Sequence, residues 1–313
     1  MKKIITLLGI LLVLFLGVGT ISYAGVLKPF IKGNSFEGGE AQVVAQVKLA
    51  LVAQGFKVVG TYKPYVAATV IGVTSDDLLA AASKAKNGGF GVVVRASVTE
   101  ENGVWQVAYL NPTYMGTAYG LGSLAVVSEK LQKALGAEGA FGAEGLTPEQ
   151  LAPGNYHYAM FMPYFNDISL LNKFASHEKA LATVMANLAA GKGGTQQVYR
   201  VDLPGKSVSV FGVAIPKGDG VNKGSKDTDK EIMDIIDYKL PRSTPYLPYE
   251  LMVQGKDVIA LAGRFRIAVH FPDTAMMGEH GFTKIMSSPG GIKTALEAVA
   301  GYKPEKGFSI EDF

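Results

Sequence analysis

Arg264, Arg266 and His270 stand two and four residues apart in the run RFRIAVHF, with apolar residues between them. Side chains alternate between the two faces of a strand. That spacing predicts the three polar groups on one face, with Phe265, Ile267, Val269 and Phe271 on the other. A guanidinium group is a planar fork of donors suited to carboxylates, phosphates or sulfur oxyanions. Arg95, in VVVRASV, is expected on a strand of the first half paired with Trp105–Tyr109, as a further cation of the same kind. The bland counterpart is an exposed sheet face whose charges keep the protein soluble. A second chemistry would use His270 as acid or base beside Arg264 and Arg266, which requires it to titrate near neutrality.

The stretch YHYAMFMPYF (156–165) is dense in aromatic and thioether side chains. Its alternation predicts a strand covered on both faces, used for core or inter-repeat packing. Such side chains also make soft, adaptable pocket walls, so Tyr158 and Met160 join the candidate ligand-binding residues. No resident cofactor is expected. His270, Glu279 and His280 form the best metal-ligand set among the four histidines, without a recurring ligand spacing. His157 with Met160 or Met162 could supply an axial pair for haem, and no Cys-x-x-Cys-His attachment accompanies it.

Several motifs match by letters and fail by context. Gly205-Lys206-Ser207 lacks the preceding glycine of a phosphate loop. Gly120-Leu121-Gly122-Ser123-Leu124-Ala125 follows a Pro-containing segment instead of the strand of a dinucleotide site. His177-Glu178 has Leu181 where a zinc protease needs its second histidine. Asp219–Lys230 has Val221, Lys223 and Lys230 where a calcium loop needs oxygen ligands. No Gly-x-Ser-x-Gly elbow is present to start serine catalysis.

The elements that must position these groups fall into two halves. In the first, Gly39–Gln54 is apolar at helical spacing and closed by Gly55. Strands follow at Lys57–Tyr62 and Ala67–Val73, then a helix capped by Thr74–Asp77 and running to Lys86. Gly91–Thr99 and Val104–Leu110 make a hairpin around Asn102-Gly103, and a helix covers about Leu121–Leu135. Residues 137–154, rich in Gly, Ala, Glu and Pro, read as a linker. In the second half a helix spans His177–Ala190, with strands at Gln197–Asp202 and Ser207–Ile215. A helix at Lys230–Tyr238 follows an insertion. A hairpin then runs from Tyr249–Gln254 into Val258–Phe271, and a helix covers Ile292–Ala300. The order repeats, so the expected architecture is α+β: two tandem sandwich repeats with mainly antiparallel sheets in a pseudo-two-fold arrangement. The predicted boundaries are 1–24 signal peptide, 25–136 first repeat, 137–154 linker, 155–302 second repeat and 303–313 tail.

Composition places the protein. Of 313 residues 48% are hydrophobic and 18% charged, which excludes a disordered chain. The 30 basic residues nearly balance 27 acidic ones, and without Lys2 and Lys3 the count is 28 against 27, so nothing marks a nucleic-acid partner. Lys2-Lys3, an uncharged apolar run from Ile4 to Val18 and Ser22-Tyr23-Ala24 have the layout of a secretory signal, cut after Ala24. Export to the periplasm or beyond is expected. The alternative is an uncleaved anchor facing outward, and that anchor is the only expected membrane contact. With no cysteine there is no disulfide, thiolate nucleophile or lipid-modified N-terminal Cys.

GFKVVGTYKPY and GFGVVVRASVTEENGVWQVAYLNPTYM resemble the prokaryotic family known as domain of unknown function 302. That family has a Gly-Phe after its first helix and a hairpin with an acidic-Gly turn ending in an aromatic, Asn/Asp-Pro segment. SVSVFGVAIPKG and LPYELMVQGKDVIALAGRFRIAVHFPDTAM resemble it in the second half, with Leu247-Pro248 at the family's Leu-Pro hairpin start. The resemblance spans about 36–120 and 177–277. The Cys often found at the Leu-Pro position is missing, and 219–230 look inserted. It implies a commonly dimeric α+β sandwich with no agreed activity, and carries over no catalytic residue. The function expected is a non-catalytic ligand-binding or accessory protein of the cell envelope, as a monomeric pseudo-dimer or a homo-oligomer. A small anionic ligand or an envelope protein is its expected partner. Catalysis at His270, or structural docking through the tail, are the alternatives.

Overall fold

The structure is a computed structural model that describes residues 25–217 and 226–302. The expected signal peptide, the tail 303–313 and most of the 219–230 insertion lie outside the described residues. The first half contains β1 (Phe30–Phe36), α1 (Glu40–Ala53), β2 (Lys57–Tyr62), β3 (Ala68–Thr74), α2 (Asp76–Lys84), β4 (Val94–Glu101), β5 (Val104–Leu110), α3 (Pro112–Ala118), α4 (Ala125–Leu135) and β6 (Gly139–Phe141). After α5 (Pro148–Leu151) come β7 (Ser169–Lys173), α6 (His177–Ala189), β8 (Gln196–Asp202), β9 (Val208–Ala214), α7 (Asp229–Ile236), β10 (Tyr249–Gln254), β11 (Asp257–Ala260), α8 (Gly263–Ala268) and α9 (Ser288–Val299). The fold is α+β with two antiparallel sheets, ordered β2-β3-β4-β5-β1-β6 and β8-β9-β10-β11-β7. Apart from β6, the two sheets have the same strand order and the same connectivity.

Local chemistry explains the elements that the sequence predicts well. Ser75 Oγ accepts from Leu78 N to start α2, and Ser176 does the same for Lys179 N at α6. Asn102 and Gly103, at φ of 56° and 86°, supply the two positive angles that a tight hairpin turn requires.

Elsewhere the structure corrects the expectations. Residues 137–154 are more than a linker, because β6 pairs with β1 and α5 carries a Thr147/Gln150 capping box. The helix expected from Leu121 starts at Ala125, since Leu124 and Gly122 have positive φ, and α3 precedes it. Strands β1 and β7 were not expected, and each joins its sheet beside the hairpin. Residues 156–165 form turns instead of a strand. The long strand Val258–Phe271 ends at Ala260 and turns into α8, so Arg264, Arg266 and His270 do not share a strand face.

Helices α1 and α4 pack on the first sheet, and α6 and α9 on the second. The buried apolar residues form one cluster running through both halves. The halves meet where β2 crosses β8. Across the first sheet Gly60, Gly72 and Arg95 are register partners, and across the second Tyr199, Gly212 and Glu250. These rows occupy corresponding strands and are complementary. A Cβ on Gly72 would stand 3.1 Å from the Tyr199 ring, and one on Gly60 would stand 2.1 Å from Val198 O and 3.1 Å from Tyr199 Cβ. Glycine in one row therefore makes room for the tyrosine of the other, and arginine faces glutamate.

Candidate functional site

Arg95 reaches from β4 to Glu250 on β10, and its Nη1 donates to Oε1. Its Nε donates to Pro245 O at 2.8 Å. From α8, Arg266 donates through Nε to Glu250 Oε2 at 2.9 Å and through Nη2 to the carbonyls of Tyr246 (2.6 Å) and Pro248 (3.1 Å). Its guanidinium lies 4.6 Å from the Tyr246 ring centre, a cation–π distance. Four residues after Arg266, one helical turn on, His270 falls on the same side. His270 Nδ1 lies 2.9 Å from Arg266 Nη1 and 3.0 Å from Arg266 O. Nε2 lies 3.4 Å from Arg95 Nη2 and 3.3 Å from Arg266 Nη1. All four residues are buried. Burial holds the imidazole well below its usual pKa, and the two guanidinium charges push it further the same way. With His270 neutral, two arginines and one glutamate leave the cluster one positive charge.

The structure thus brings together three of the predicted ligand-binding residues, Arg95, Arg266 and His270. It separates the other three. Arg264, two residues before Arg266, falls on the far side of α8 and has Nη1 3.7 Å from Met162 Sδ. Tyr158 OH donates to Thr274 O at 2.5 Å. Arg264, Tyr158 and Met162 share a void of only about 10 Å³ with Phe271 and Phe282, and Met160 is exposed. The carboxylate expected of a ligand at the arginines is Glu250 of the chain itself. Sequence reasoning missed Glu250, although its signal was present: one acid inside the apolar run LPYELMV.

The metal set separates in the same way. His270 faces the arginines. His280 stacks on Tyr238 with ring centres 3.7 Å apart, and its Nδ1 donates to Ile235 O at 2.7 Å. Among the described residues no three histidine or acidic side chains converge on a metal position. His157 Nδ1 donates to Ala159 O at 2.6 Å, with its ring against Tyr164 and away from a haem pairing with Met160 or Met162.

The room for a ligand lies elsewhere. A half-open cleft of about 710 Å³ is walled by both halves: Lys28 and Phe141–Glu144 from the first, 236–241, Ser243, Phe271 and much of 273–281 from the second. Its seam is a hydrogen bond of 2.5 Å from Glu144 N to Asp273 Oδ2. At its floor buried Asp237 accepts from Ser243 N at 2.7 Å and from Arg242 Nε at 3.1 Å. Burial raises the Asp237 carboxyl to about 6 despite Arg242. Arg242 N in turn donates to Glu101 Oε1 of β4 at 2.8 Å, tying this wall to the first half.

No family model, curated protein or solved structure matches this chain. Among the described residues no helix is long and apolar enough to cross a membrane.

Proposed function

We propose that this is an exported, non-catalytic ligand-binding or accessory protein of the cell envelope, built from two repeats, with its ligand seat in the cleft between them. The observation that carries the reading is the cleft itself: about 710 Å³, within the usual range of small-molecule sites and walled by both halves. The matching strand orders support the repeat reading. The resemblance to domain of unknown function 302 stands on the sequence segments alone, and the export reading on the N-terminal pattern. Acid–base use of His270 beside Arg264 and Arg266 has poor geometric support, because His270 is buried and neutral and Arg264 points elsewhere. The cleft lining sets Lys28 and Lys239 beside Glu144, Asp237, Asp273 and Glu279, so its charges suit a polar ligand of mixed character better than a simple anion.

The test is native mass spectrometry of the protein purified from its own envelope fraction. The expected result is a retained small molecule that is lost from Ala143→Trp, which fills the cleft wall, with an unchanged Tm. A bare polypeptide mass, together with no ligand-induced rise in Tm across a panel of small metabolites, would overturn the reading.

A further inference from the structure

The two halves share an order of elements and differ in how each ends. In the first, α4 is followed by β6, which covers the outer edge of β1. In the second, β7 holds the place of β1. It joins β11 as β1 joins β5, and its other edge pairs with no strand among the described residues. The remaining outermost strands are protected in other ways, since β2 and β8 pack against each other and β6 is only three residues long. By contrast β7 has five residues and presents Leu170, 54% exposed. An open edge is a row of unpaired donors and acceptors, a template for another strand.

The exits from the last helices are alike. Gly136 follows α4 at φ 78°, and a Cβ there would stand 2.0 Å from Asn34 Oδ1 of β1. Gly301 comes shortly after α9 at φ 70°, and the carbonyl before it, Ala300 O, accepts from Asn172 Nδ2 of β7 at 2.9 Å. In both places a left-handed glycine turns the chain out of the helix beside an asparagine of β1 or β7. In the first half the chain then runs back along β1. Glu138 N donates to Lys32 O at 2.8 Å, Gly139 stands opposite Lys32, and Phe141 stands opposite Phe30. In the second half the chain passes Asn172, near the C-terminal end of β7, so the same antiparallel course lies open to residues 303–313.

We propose that the open edge of β7 is the docking site of the chain's own segment 303–310, which adds to the second sheet as β6 adds to the first. That segment begins beside the strand it joins, so closing the loop costs little chain entropy. Its sequence KPEKGFSI has Phe308 and Ile310 on either side of Ser309. Such alternation sets two apolar side chains on one face of a strand, and Leu170 offers that face an apolar neighbour. Pro304 lacks a backbone donor, which an outermost strand tolerates. Folding back in this way seals the edge against strands of other chains. The proposal is independent of what the cleft binds.

The absence of cysteine makes the test direct, because no native thiol competes with two introduced ones. In the full chain Leu170→Cys is combined with a single cysteine at each position from 303 to 310 in turn, under mild oxidation. Leu49→Cys on α1, 71% exposed, replaces Leu170→Cys as the control. Within one chain, the thiol at 170 should form a disulfide several-fold faster with its best partner than the thiol at 49 does with any. Moving the first thiol to Lys173→Cys should move the best partner toward 303, as an antiparallel course requires. Amide hydrogen exchange supplies a second readout. In the full chain carrying Phe308→Pro with Ile310→Pro, which removes two backbone donors, residues 169–173 should exchange several-fold faster than in the wild type. Residues 30–32, which β6 already covers, should not change. Equal oxidation rates for the thiols at 170 and 49, or exchange at 169–173 unaffected by the prolines, overturns the proposal. Disulfides that form only between two chains, together with a dimer mass, assign the edge to a second copy and overturn it as well.

Discussion

The Arg95–Glu250–Arg266–His270 cluster and the open cleft both lie between the halves, yet they are built on opposite principles. In the cluster Glu250 and three backbone carbonyls take up donors of two guanidinium groups, and all of the side chains are buried. In the cleft, charged groups such as Lys28 and Glu279 line open space. Residue types alone favour the cluster as a binding site, since arginine and histidine are what anion sites use. Partner geometry reverses that choice. A saturated polar network orients and holds, whereas recognition needs donors and acceptors left over. The cluster is accordingly the part that sets how the halves meet, and the cleft is the space that their meeting creates.

The sharpest way to break this division is to remove the cluster's acid. Glu250→Ala leaves two buried guanidinium groups without their carboxylate, a change worth about 3–5 kcal/mol of destabilisation. A triple change of Arg95→Met, Glu250→Leu and Arg266→Met removes every charge and should restore most of that loss, because apolar replacement of a whole buried ionic group is often neutral or better. Denaturant unfolding of both variants is the measurement. A Glu250→Ala protein of wild-type stability that gains affinity for free carboxylates would show that the arginines are a binding site after all.

The same contrast separates what the sequence discloses from what it hides. Helices α2 and α6 and the Asn102-Gly103 hairpin are set by neighbours within four residues, so their signals are local and legible. The cluster is made by partners 150 and 155 residues from Arg95, Pro245 O and Glu250, and no local pattern encodes such pairing. The misreading of Arg264–Phe271 has a more particular cause. Phe265, Ile267, Ala268, Val269 and Phe271 are all buried, so the run has too few exposed positions to separate a period of 2 from one of 3.6. Under the strand reading Arg264 joins the other two; under the helix it is expelled. Strand β1 was hidden differently, by Gly33, Asn34 and Ser35 at the irregularity where its pairing with β5 shifts register. The cleft had no sequence signal of its own, because its walls come from loops that meet only when both sheets are assembled.

Titration sharpens the comparison, since the two regions respond to acid with opposite sign. His270 is held below its ordinary 6.5 by burial and by the arginines. Below about pH 6.5 the unfolded chain binds a proton that the native cluster refuses, so this contribution lowers stability as pH falls. Asp237 at the cleft floor behaves in reverse. Its native value of about 6 lies above the ordinary 3.8 because burial disfavours the carboxylate. The native state therefore takes up a proton first, and stability rises as pH falls from about 7 to about 4, by about 2 kcal/mol for a shift of this size. Unfolding free energy measured between pH 4 and 7 should lose part of its acid-side gain in Asp237→Asn, the remainder coming from Asp229, whose carboxyl burial also raises to about 6. In His270→Gln the acid-side loss should disappear instead. Parallel changes in both variants would mean that the two regions titrate as one unit.

The smallest effect is expected where the molecule is most open. Tyr238 stacks on His280 in the cleft wall, with ring planes 11° apart, and half of Tyr238 is exposed. An aromatic pair contributes about 0.5–1.5 kcal/mol beyond its buried area, and exposure keeps the buried area small here. Tyr238→Ala should therefore lower unfolding free energy by less than about 1.5 kcal/mol. The same substitution removes a wall of the proposed ligand seat, so the retained mass seen by native mass spectrometry should fall well below that of the wild-type protein. That combination, a nearly unchanged fold with lost retention, is the mirror image of the result expected for Glu250→Ala. If Tyr238→Ala proves as destabilising as the loss of Glu250, the cleft wall is part of the clamp between the halves, and the division of labour drawn between the two regions fails.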